Sequence, residues 1–356
     1  MRVLVHADAV GHALPGGIGA YTRSLVTALA GRTELELLVS RSAGDLPWDL
    51  PVRRSALPLR PLYASWTAAR LPRSARGAEV VHATSLVLPP GGRTLVVTVH
   101  DLNVELYPEL VPQPWLALYR RSLRQAVRRA DVLLTSTAAV GECLRERYGV
   151  AADRLALTPF GPGLAPGAPR DDDALAALGV RPPYVLSVGT LEPRKDQAAL
   201  VRAFAAAGLP EHTLVLAGAR GWGTSAVEEA VAQAGVARVV LTGAVPPAVL
   251  ASLYAGADAF ALPSRYEGFG LPALEALAHG VPTVVSADPA LVEVTGGAAL
   301  VAPVGDVDAL AGALQALTGD EALRTRLRAA GPARAAAFSW DRTAEATLAA
   351  YRRAAA

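Results

Sequence analysis

The sequence predicts an α/β protein with two doubly wound domains, each built on a parallel sheet covered by helices. Short apolar runs typical of buried strands alternate with amphipathic helical stretches along nearly the whole chain. The alternation is interrupted once, at residues 160–173, which are rich in Gly and Pro and end in consecutive aspartates. That composition is typical of a linker between domains. A length of 356 residues also suits two domains better than one.

The first half of the chain carries short apolar runs, which predict buried strands, and helical stretches between them. A glycine run, Gly16–Gly19, follows the first strand and precedes an amphipathic helix that ends at about Ala30. Residues 53–76 are rich in Pro and Arg, so we expect an irregular connection with one short helix there. We place strands at Val3–His6, Leu35–Val39, Glu79–His82, Thr94–His100 and Asp131–Thr135, helices at Pro112–Ala130 and Ala138–Tyr148, and the end of the domain at Arg154–Thr158.

The second half repeats this alternation after the linker. A loop and a helix at Gln197–Ala207 follow its first strand, and the chain from Asp306 onward is predicted to be helical to the end. Right-handed crossovers between these strands imply a second parallel sheet, with a cleft between the two domains. The predicted strands are Tyr184–Val188, Thr213–Ala217, Arg238–Thr242, Asp258–Leu262, Thr283–Ser286 and Ala299–Val301.

The composition excludes several classes of protein. A chain that is 52% hydrophobic and 19% charged can bury sizeable cores and is unlike a disordered protein. The single cysteine, Cys143, cannot form an internal disulfide, and its helical surroundings favour a small packed residue over a nucleophile. No apolar run reaches membrane-spanning length, and the chain starts with a strand rather than a signal peptide. We therefore expect a cytoplasmic protein.

The basic residues are almost all arginine, although the net charge is only +2. Lys195 is the only lysine in the sequence. A lysine retained in such an Arg-rich composition is a candidate for function, and chance retention is the alternative.

The most informative stretch runs from Leu262 to Gly280. A strand ends at Leu262, and a helix with Pro272 in its first turn, where a missing N–H is harmless, ends before Gly280. Glu267 lies in the loop, and Glu275 lies about one turn inside the helix. The helix N-terminus between these two acids favours an anion. A sugar joined to a nucleotide diphosphate offers both hydroxyls and phosphates, whereas the alternative is an ordinary strand–loop–helix unit with two solvated acids.

Three further groups of residues are candidates. His100 and Asp101 follow a strand at its carboxyl end, where ligands of open α/β sheets bind, although a structural histidine is an equal alternative. Gly16, Gly17 and Gly19 let the backbone approach a phosphate or sugar, or merely form a turn. Arg194 and Lys195 lie in the loop after Val188 and suit a phosphate, although such pairs often lie in solvated turns.

The stretch Pro-Ser-Arg-Tyr-Glu-Gly-Phe-Gly-Leu-Pro-x-Leu-Glu-Ala-Leu-Ala-x-Gly-x-Pro-Thr-Val, residues 263–284, resembles the donor-site signature of retaining GT-B glycosyltransferases of family 4. The resemblance covers nearly the whole chain and is strongest in the second half. It implies two Rossmann-like domains with an interdomain cleft. The expected boundaries are 1–163 for the acceptor-side domain, 164–335 for the nucleotide-sugar domain, and 336–356 for a helix that crosses back to the first domain.

The resemblance also implies roles for the candidate residues. Glu267 is expected to hold the hydroxyls of the transferred sugar, and Glu275 the ribose of the nucleotide. His100 is expected to contact the transferred sugar, while Asp101 orients its loop. The remaining donor-binding candidates are the glycines at 16, 17 and 19 for the diphosphate, Thr190 in the loop after Val188, the backbone at Phe269, Gly270 and Leu271, and the segment from Gly243 to Val245 for the base.

The loop Gly-Thr-Leu-Glu-Pro-Arg-Lys, residues 189–195, resembles the phosphate-binding loop of that family. Many relatives carry Arg after its glycine, and this chain carries Thr190, so phosphate stabilisation is expected to depend more heavily on Arg194 and Lys195. Members with this loop look most like mannosyltransferases that use GDP-mannose.

The family's reaction retains the anomeric configuration. A front-face mechanism, in which the leaving phosphate takes the acceptor's proton, needs no strong protein base, and the sequence offers no obvious one. No acidic cluster resembles a Mg²⁺ or Mn²⁺ motif, so we predict a metal-independent enzyme without a cofactor. The alternatives are the same fold with a UDP- or dTDP-sugar, a sugar-nucleotide epimerase or phosphorylase, and a non-catalytic protein that binds nucleotide sugars.

One helix of the first domain is a candidate surface for the acceptor. The helix at 112–130 carries Arg120, Arg121, Arg124, Arg128 and Arg129. It is either a solvated basic face or a surface for a phosphate-bearing acceptor or an anionic membrane. We therefore expect a nucleotide sugar and a hydroxyl-bearing acceptor as partners, with peripheral membrane contact as a further hypothesis and no nucleic acid.

Overall fold

The computed structural model describes residues 1–11, 16–164, 166–167, 169–235 and 238–356. The chain divides into two compact units, residues Met1–Gly163 with Ser339–Ala356, and residues Leu164–Phe338. Each unit contains one parallel sheet flanked by helices, which confirms the predicted fold class. Within the predicted linker, Ala165 and Ala168 lie outside the described residues.

The sheet of the first unit has seven strands in the order β3-β2-β1-β4-β5-β6-β7. The strand order reverses between β1 and β4, which pair directly through Val3 and Val80. Val3, Leu4 and Val5 are fully buried because a parallel sheet is covered on both faces. The strands are β1 (Arg2–His6), β2 (Glu34–Val39), β3 (Val52–Arg54), β4 (Val80–Ala83), β5 (Thr94–Val99), β6 (Val132–Thr135) and β7 (Leu155–Leu157).

Six α-helices of the described residues belong to the first unit. The last of them is joined to it by side-chain hydrogen bonds, since Trp340 Nε1 donates to the Pro162 carbonyl at 2.9 Å and Thr343 Oγ1 donates to that of Pro159 at 2.5 Å. These helices are α1 (Gly17–Leu29), α2 (Leu59–Ala68), α3 (Asn103–Leu106), α4 (Gln113–Arg129), α5 (Ala138–Tyr148) and α14 (Trp340–Ala355).

The sheet of the second unit has six strands in the order β10-β9-β8-β11-β12-β13, and all its pairings are parallel. Its switch point lies between β8 and β11. The strands are β8 (Tyr184–Val188), β9 (Thr213–Ala217), β10 (Val239–Gly243), β11 (Ala259–Leu262), β12 (Thr283–Ser286) and β13 (Leu300–Ala302). The helices are α6 (Asp172–Ala177), α7 (Gln197–Ala207), α8 (Thr224–Ala234), α9 (Pro247–Gly256), α10 (Leu271–Ala278), α11 (Pro289–Thr295), α12 (Val307–Gly319) and α13 (Glu321–Ala335).

The structure corrects three local predictions. Helix α1 begins at Gly17, inside the glycine run that we expected to be a loop. Residues 53–76 contain the end of edge strand β3 as well as helix α2; β3 is too short to show periodicity, and its Arg53 pairs with Glu36 at 2.7 Å. The helical C-terminal region is divided at Asp320 and Ser339, because each side chain accepts a backbone N–H and caps the helix that follows.

Candidate functional site

The switch point of the second unit brings together residues that are far apart in the sequence. β8 and β11 are neighbouring parallel strands, so the loops that follow them leave the same edge of the sheet. Arg194 and Lys195 lie in a short 3₁₀ turn after β8, and Glu267 lies in the loop between β11 and α10. Ligands of open parallel sheets bind at such a point.

Glu267 is the centre of this cluster. Its side chain accepts hydrogen bonds from Lys195 Nζ, from Arg194 Nη1 at 2.8 Å and from Ser264 Oγ at 2.7 Å. Only 5% of Glu267 is exposed. Burial by itself raises the pKa of Glu267, but the charges of Lys195 and Arg194 outweigh it and lower that pKa to about 2. The carboxylate is therefore ionised at any physiological pH.

Arg194 and Lys195 differ in the number of ion pairs that they form. Arg194 forms ion pairs with both Glu192, at 2.6 Å, and Glu267. The described contacts of Lys195 include one carboxylate, that of Glu267. An ammonium has three N–H donors, so Lys195 keeps donors for a further anion. Glu267 thus orients Lys195 and still leaves it N–H donors for a phosphate.

Asp288 supports the Glu267 loop from the next strand. Its Oδ2 accepts the backbone N–H of Glu267 at 3.2 Å, and its Oδ1 caps α11 by accepting the N–H groups of Ala290 and Leu291. Burial, reinforced by the charge of Glu267, raises the pKa of Asp288 to about 6, although backbone hydrogen bonds oppose that rise. Asp288 is not among the residues predicted from the sequence, because its position before Pro289 signals a helix cap but not its contact with Glu267.

Helix α10 carries the remaining acid of the signature. Its cap Gly270 has φ of 88°, and a Cβ there would lie 2.3 Å from Leu291 Cδ2, so the position requires glycine. Leu271 is the first helical residue. Glu275 Oε2 accepts a hydrogen bond from Tyr254 Oη at 2.9 Å. Burial raises the pKa of Tyr254 well above its usual value, so this hydroxyl remains a donor that fixes Glu275.

The other donor-site candidates of the second unit have separate positions. Thr190 follows β8, and its carbonyl accepts from Gln197 Nε2 at 3.0 Å. Val245 lies in the segment between β10 and α9. The Phe269 side chain is buried and packs edge-on against Phe338, with ring centroids 5.9 Å apart, so its role in packing the unit was missed by the sequence analysis.

In the first unit, His100 follows β5 and its Nε2 donates to the Thr84 carbonyl at 2.8 Å. Burial lowers the pKa of His100, and the Thr84 carbonyl and the Asp101 charge only partly offset this, so the ring is neutral at pH 7. Because Nε2 holds the proton, Nδ1 is an acceptor. Asp101 accepts the N–H of Asn103 at 3.1 Å, which orients the loop.

Helix α1, which begins within the glycine run, contacts His100 through its residue Tyr21. Gly16 caps α1, Gly17 and Gly19 lie in its first turn, and Tyr21 follows in the same helix. The Tyr21 ring packs edge-on against His100, with centroids 4.8 Å apart. The structure therefore brings the first-unit candidates onto neighbouring elements.

A buried hydrogen-bond chain fixes Tyr21. Its hydroxyl bonds to Thr98 Oγ1 at 2.8 Å, Thr98 bonds to His82 Nε2 at 2.7 Å, and His82 Nδ1 bonds to Tyr351 Oη in α14 at 2.6 Å. Burial, with smaller effects of His100 and His6, lowers the pKa of His82 to about 3, so the ring is neutral. No local sequence signal connects residues so far apart.

Helix α4 exposes both aromatic and basic side chains. Trp115 and Tyr119 are 46% and 42% exposed and stack with centroids 6.4 Å apart. Arg121, Arg124 and Arg128 are also exposed. Across the ranges that the structure describes, no helix is both long and apolar enough to cross a membrane. The same ranges contain no group of three or more His, Cys, Asp or Glu side chains that could hold a metal ion.

Comparison with known proteins defines the class to which this fold and site belong. Residues 172–334 match the family described as glycosyl transferases group 1, and residues 15–161 match glycosyltransferase family 4. The chain is 34% identical to O-antigen chain mannosyltransferase B of Escherichia coli, over 77% of this chain and 74% of that protein. It is 32% identical to a D-inositol 3-phosphate glycosyltransferase of Actinosynnema mirum, over 94% and 92% of the two chains. The chain belongs to the group 1 glycosyltransferases of family 4.

Solved structures show the same GT-B fold. The chain is similar to sucrose-phosphate synthase from Thermosynechococcus elongatus with a TM-score of 0.80 and 24% identity, over 99% of this chain and 98% of that one. It is also similar to HepE of Anabaena, solved in complex with UDP and glucose, with a TM-score of 0.76 and 20% identity, over 98% of both chains.

Proposed function

We propose that this glycosyltransferase moves a hexose, with mannose from GDP-mannose favoured, onto a hydroxyl of its acceptor with retention of anomeric configuration. The observation that carries this proposal is the buried cluster of Glu267 with Lys195 and Arg194 at the switch point of the second sheet. The similarity to a protein named a mannosyltransferase supports the choice of mannose.

The cluster suits the charge that develops during the reaction. As the bond from the anomeric carbon to the phosphate oxygen breaks, Lys195 and Arg194 stabilise the diphosphate. The bond from the acceptor oxygen to the anomeric carbon forms on the same face, and the acceptor's proton passes to the leaving phosphate. This scheme uses neither a metal ion nor a cofactor, and it gives Glu267 and His100 the roles of contacting the sugar and Glu275 that of holding the ribose.

The proposal is tested by calorimetric titration of the protein with GDP, UDP and dTDP in metal-free buffer. We expect GDP to bind most tightly and Lys195→Ala to weaken binding about tenfold or more, because a charge-assisted hydrogen bond to phosphate is lost. The matched control is Arg265→Ala, which removes a more exposed cation paired with Asp196. Preference for UDP or dTDP would replace the mannosyl assignment, and absence of binding to all three would overturn the donor site.

We further propose that the acceptor is presented at an anionic lipid surface, where α4 docks. Exposed arginines and a Trp–Tyr pair on one helix are the groups that favour the interface of such a membrane. We expect the protein to pellet with vesicles that contain anionic lipid and not with neutral vesicles. The double variant Arg124→Glu with Arg128→Glu should lose this binding, whereas Arg326→Glu, on α13, should keep it. Pelleting of the α4 double variant to the same extent as the wild type would contradict this proposal.

A further inference from the structure

The loop after β9, residues Gly218–Gly223, is fitted closely against the loop after β8. A Cβ on Gly218 would lie 2.1 Å from the Gly189 carbonyl oxygen, and one on Gly221 would lie 2.6 Å from that of Leu191. A Cβ on Gly223 would lie 2.8 Å from the Glu192 carbonyl carbon. These contacts are with backbone atoms, so no side chain could be accommodated without moving one of the loops.

Backbone hydrogen bonds hold this arrangement. Leu191 donates its N–H to the Ala219 carbonyl at 3.0 Å and accepts the N–H of Gly223 at 2.9 Å. Gly218 donates to the Gly243 carbonyl, at the end of β10, at 3.0 Å. The loops after β8, β9 and β10 therefore form one connected edge of the site.

Trp222 lies between two of these glycines, so its backbone position is fixed by the fit of the loop. Its side chain is nevertheless 53% exposed. An indole that projects from a rigid loop at the carboxyl end of a parallel sheet has the position of a ligand-binding residue rather than of a core residue.

The order of the strands indicates which part of a ligand Trp222 would meet. β9 lies between β8 and β10, and neighbouring strands are about 4.8 Å apart, so the loops after β8 and β10 are separated by roughly 10 Å. A diphosphate held by Arg194 and Lys195 would leave its nucleoside extending along the edge of the sheet. On the β12–β13 side, the loops hold the carboxylates of Asp288 and Asp306 as helix caps. On the β9–β10 side, the loop after β9 carries the exposed ring of Trp222.

We propose that Trp222 is a donor-binding residue whose indole stacks on the base of the nucleotide sugar; this inference rests on the function proposed above. Every base has an aromatic face, so this contact contributes affinity with little discrimination between bases. Discrimination between bases is then left to the neighbouring backbone after β10, at Gly243–Val245.

The test is tryptophan fluorescence during titration with GDP and UDP. We expect nucleotide to quench the emission of the wild-type protein and of Trp115→Phe, which removes an exposed tryptophan of the first unit, but not that of Trp222→Phe. We expect Trp222→Ala to raise the Kd for nucleotide about 5- to 100-fold, as stacking on a base predicts. Because Trp222 is exposed, thermal unfolding of these variants should match that of the wild type.

Nucleotide binding by Trp222→Ala with the wild-type Kd would overturn this inference and leave the proposed function intact. A variant that binds nucleotide normally but has a raised KM for acceptor would also overturn it, by assigning Trp222 to the acceptor. Absence of nucleotide binding by the wild-type protein would reject both proposals together.

Discussion

Replacing Glu267 by glutamine is expected to lower kcat/KM by about 100-fold or more and to destabilise the second unit by about 3 kcal/mol at pH 7. The substitution removes the negative charge that Lys195 and Arg194 share, so a buried and a largely buried cation lose their common partner. An amide also offers an N–H₂ group to one of these cations, which misplaces Lys195. Initial rates with the donor identified by calorimetry and urea unfolding measure the two effects.

The sign of the pH dependence provides a second measurement on the same variant. The pKa of Glu267 is about 2 in the folded protein, against 4.5 for an ordinary glutamate. Its stabilising contribution is therefore complete above about pH 4.5 and is lost as the pH falls towards 2. The free energy of unfolding of Glu267→Gln should fall less steeply with acid over this range than that of the wild type.

Glu192→Gln is the matched control, because Glu192 also pairs with Arg194 but makes no ion pair with Lys195. We expect its kcat/KM to fall less than about tenfold, as an interaction with only one of the two cations predicts. Equal losses in the two variants, or a Glu267→Gln enzyme with nearly normal rates, would show that the shared carboxylate does not organise the site.

Gly218→Ala is expected to lower activity about 100-fold and stability by about 2–4 kcal/mol. Gly218 has φ of 155°, and its new Cβ would overlap the Gly189 carbonyl oxygen at 2.1 Å. Relief of that overlap must displace either the loop that carries Arg194 and Lys195 or the loop after β9 that is hydrogen-bonded to it, since the contact is with backbone. Steady-state rates and urea unfolding of the variant test both numbers.

Gly208→Ala separates this overlap from simple backbone strain. Gly208 ends α7 with φ of 62°, and a Cβ there would meet nothing within 4 Å. Gly208→Ala should lower the free energy of unfolding by only about 1 kcal/mol and leave activity unchanged, because the only penalty is that of alanine in the left-handed conformation. If Gly218→Ala behaves like Gly208→Ala, the loops after β8 and β9 are not mutually dependent.

The sequence predicts the regular elements best where their residues are buried on both faces. Thr213–Ala217, Tyr184–Val188 and Thr283–Ser286 were assigned with the bounds that the structure has, because continuous apolar runs are typical of central parallel strands. Strand β3, Val52–Arg54, was missed because an edge strand of Val-Arg-Arg carries no such run. Local patterns are sufficient for the core and insufficient at its edges.

The candidate site shows the same limit at longer range. Sequence spacing placed Lys195 and Glu267 on separate loops with separate roles, and their ion pair became visible only when β8 and β11 were paired. The contact of Asp288 with the Glu267 backbone and the fit of Gly218 against Gly189 likewise depend on packing between segments distant in the chain. Short motifs identify the residue types of a site, whereas tertiary packing decides which of these residues form ion pairs or hydrogen bonds and which loops pack together.

The position of α14 has a consequence for how the protein folds during translation. Residues 339–356 complete the first unit, through the hydrogen bonds of Tyr351 with His82 and of Trp340 with the Pro162 carbonyl, yet they are synthesised after all of residues 164–338. Residues 1–163 therefore stay incompletely folded until residues 339–356 have been synthesised. The second unit is continuous in the chain and can fold as it emerges from the ribosome. This order reverses the usual N-to-C sequence of domain folding during translation and makes residues 1–163 the part of the nascent chain that most needs protection by chaperones.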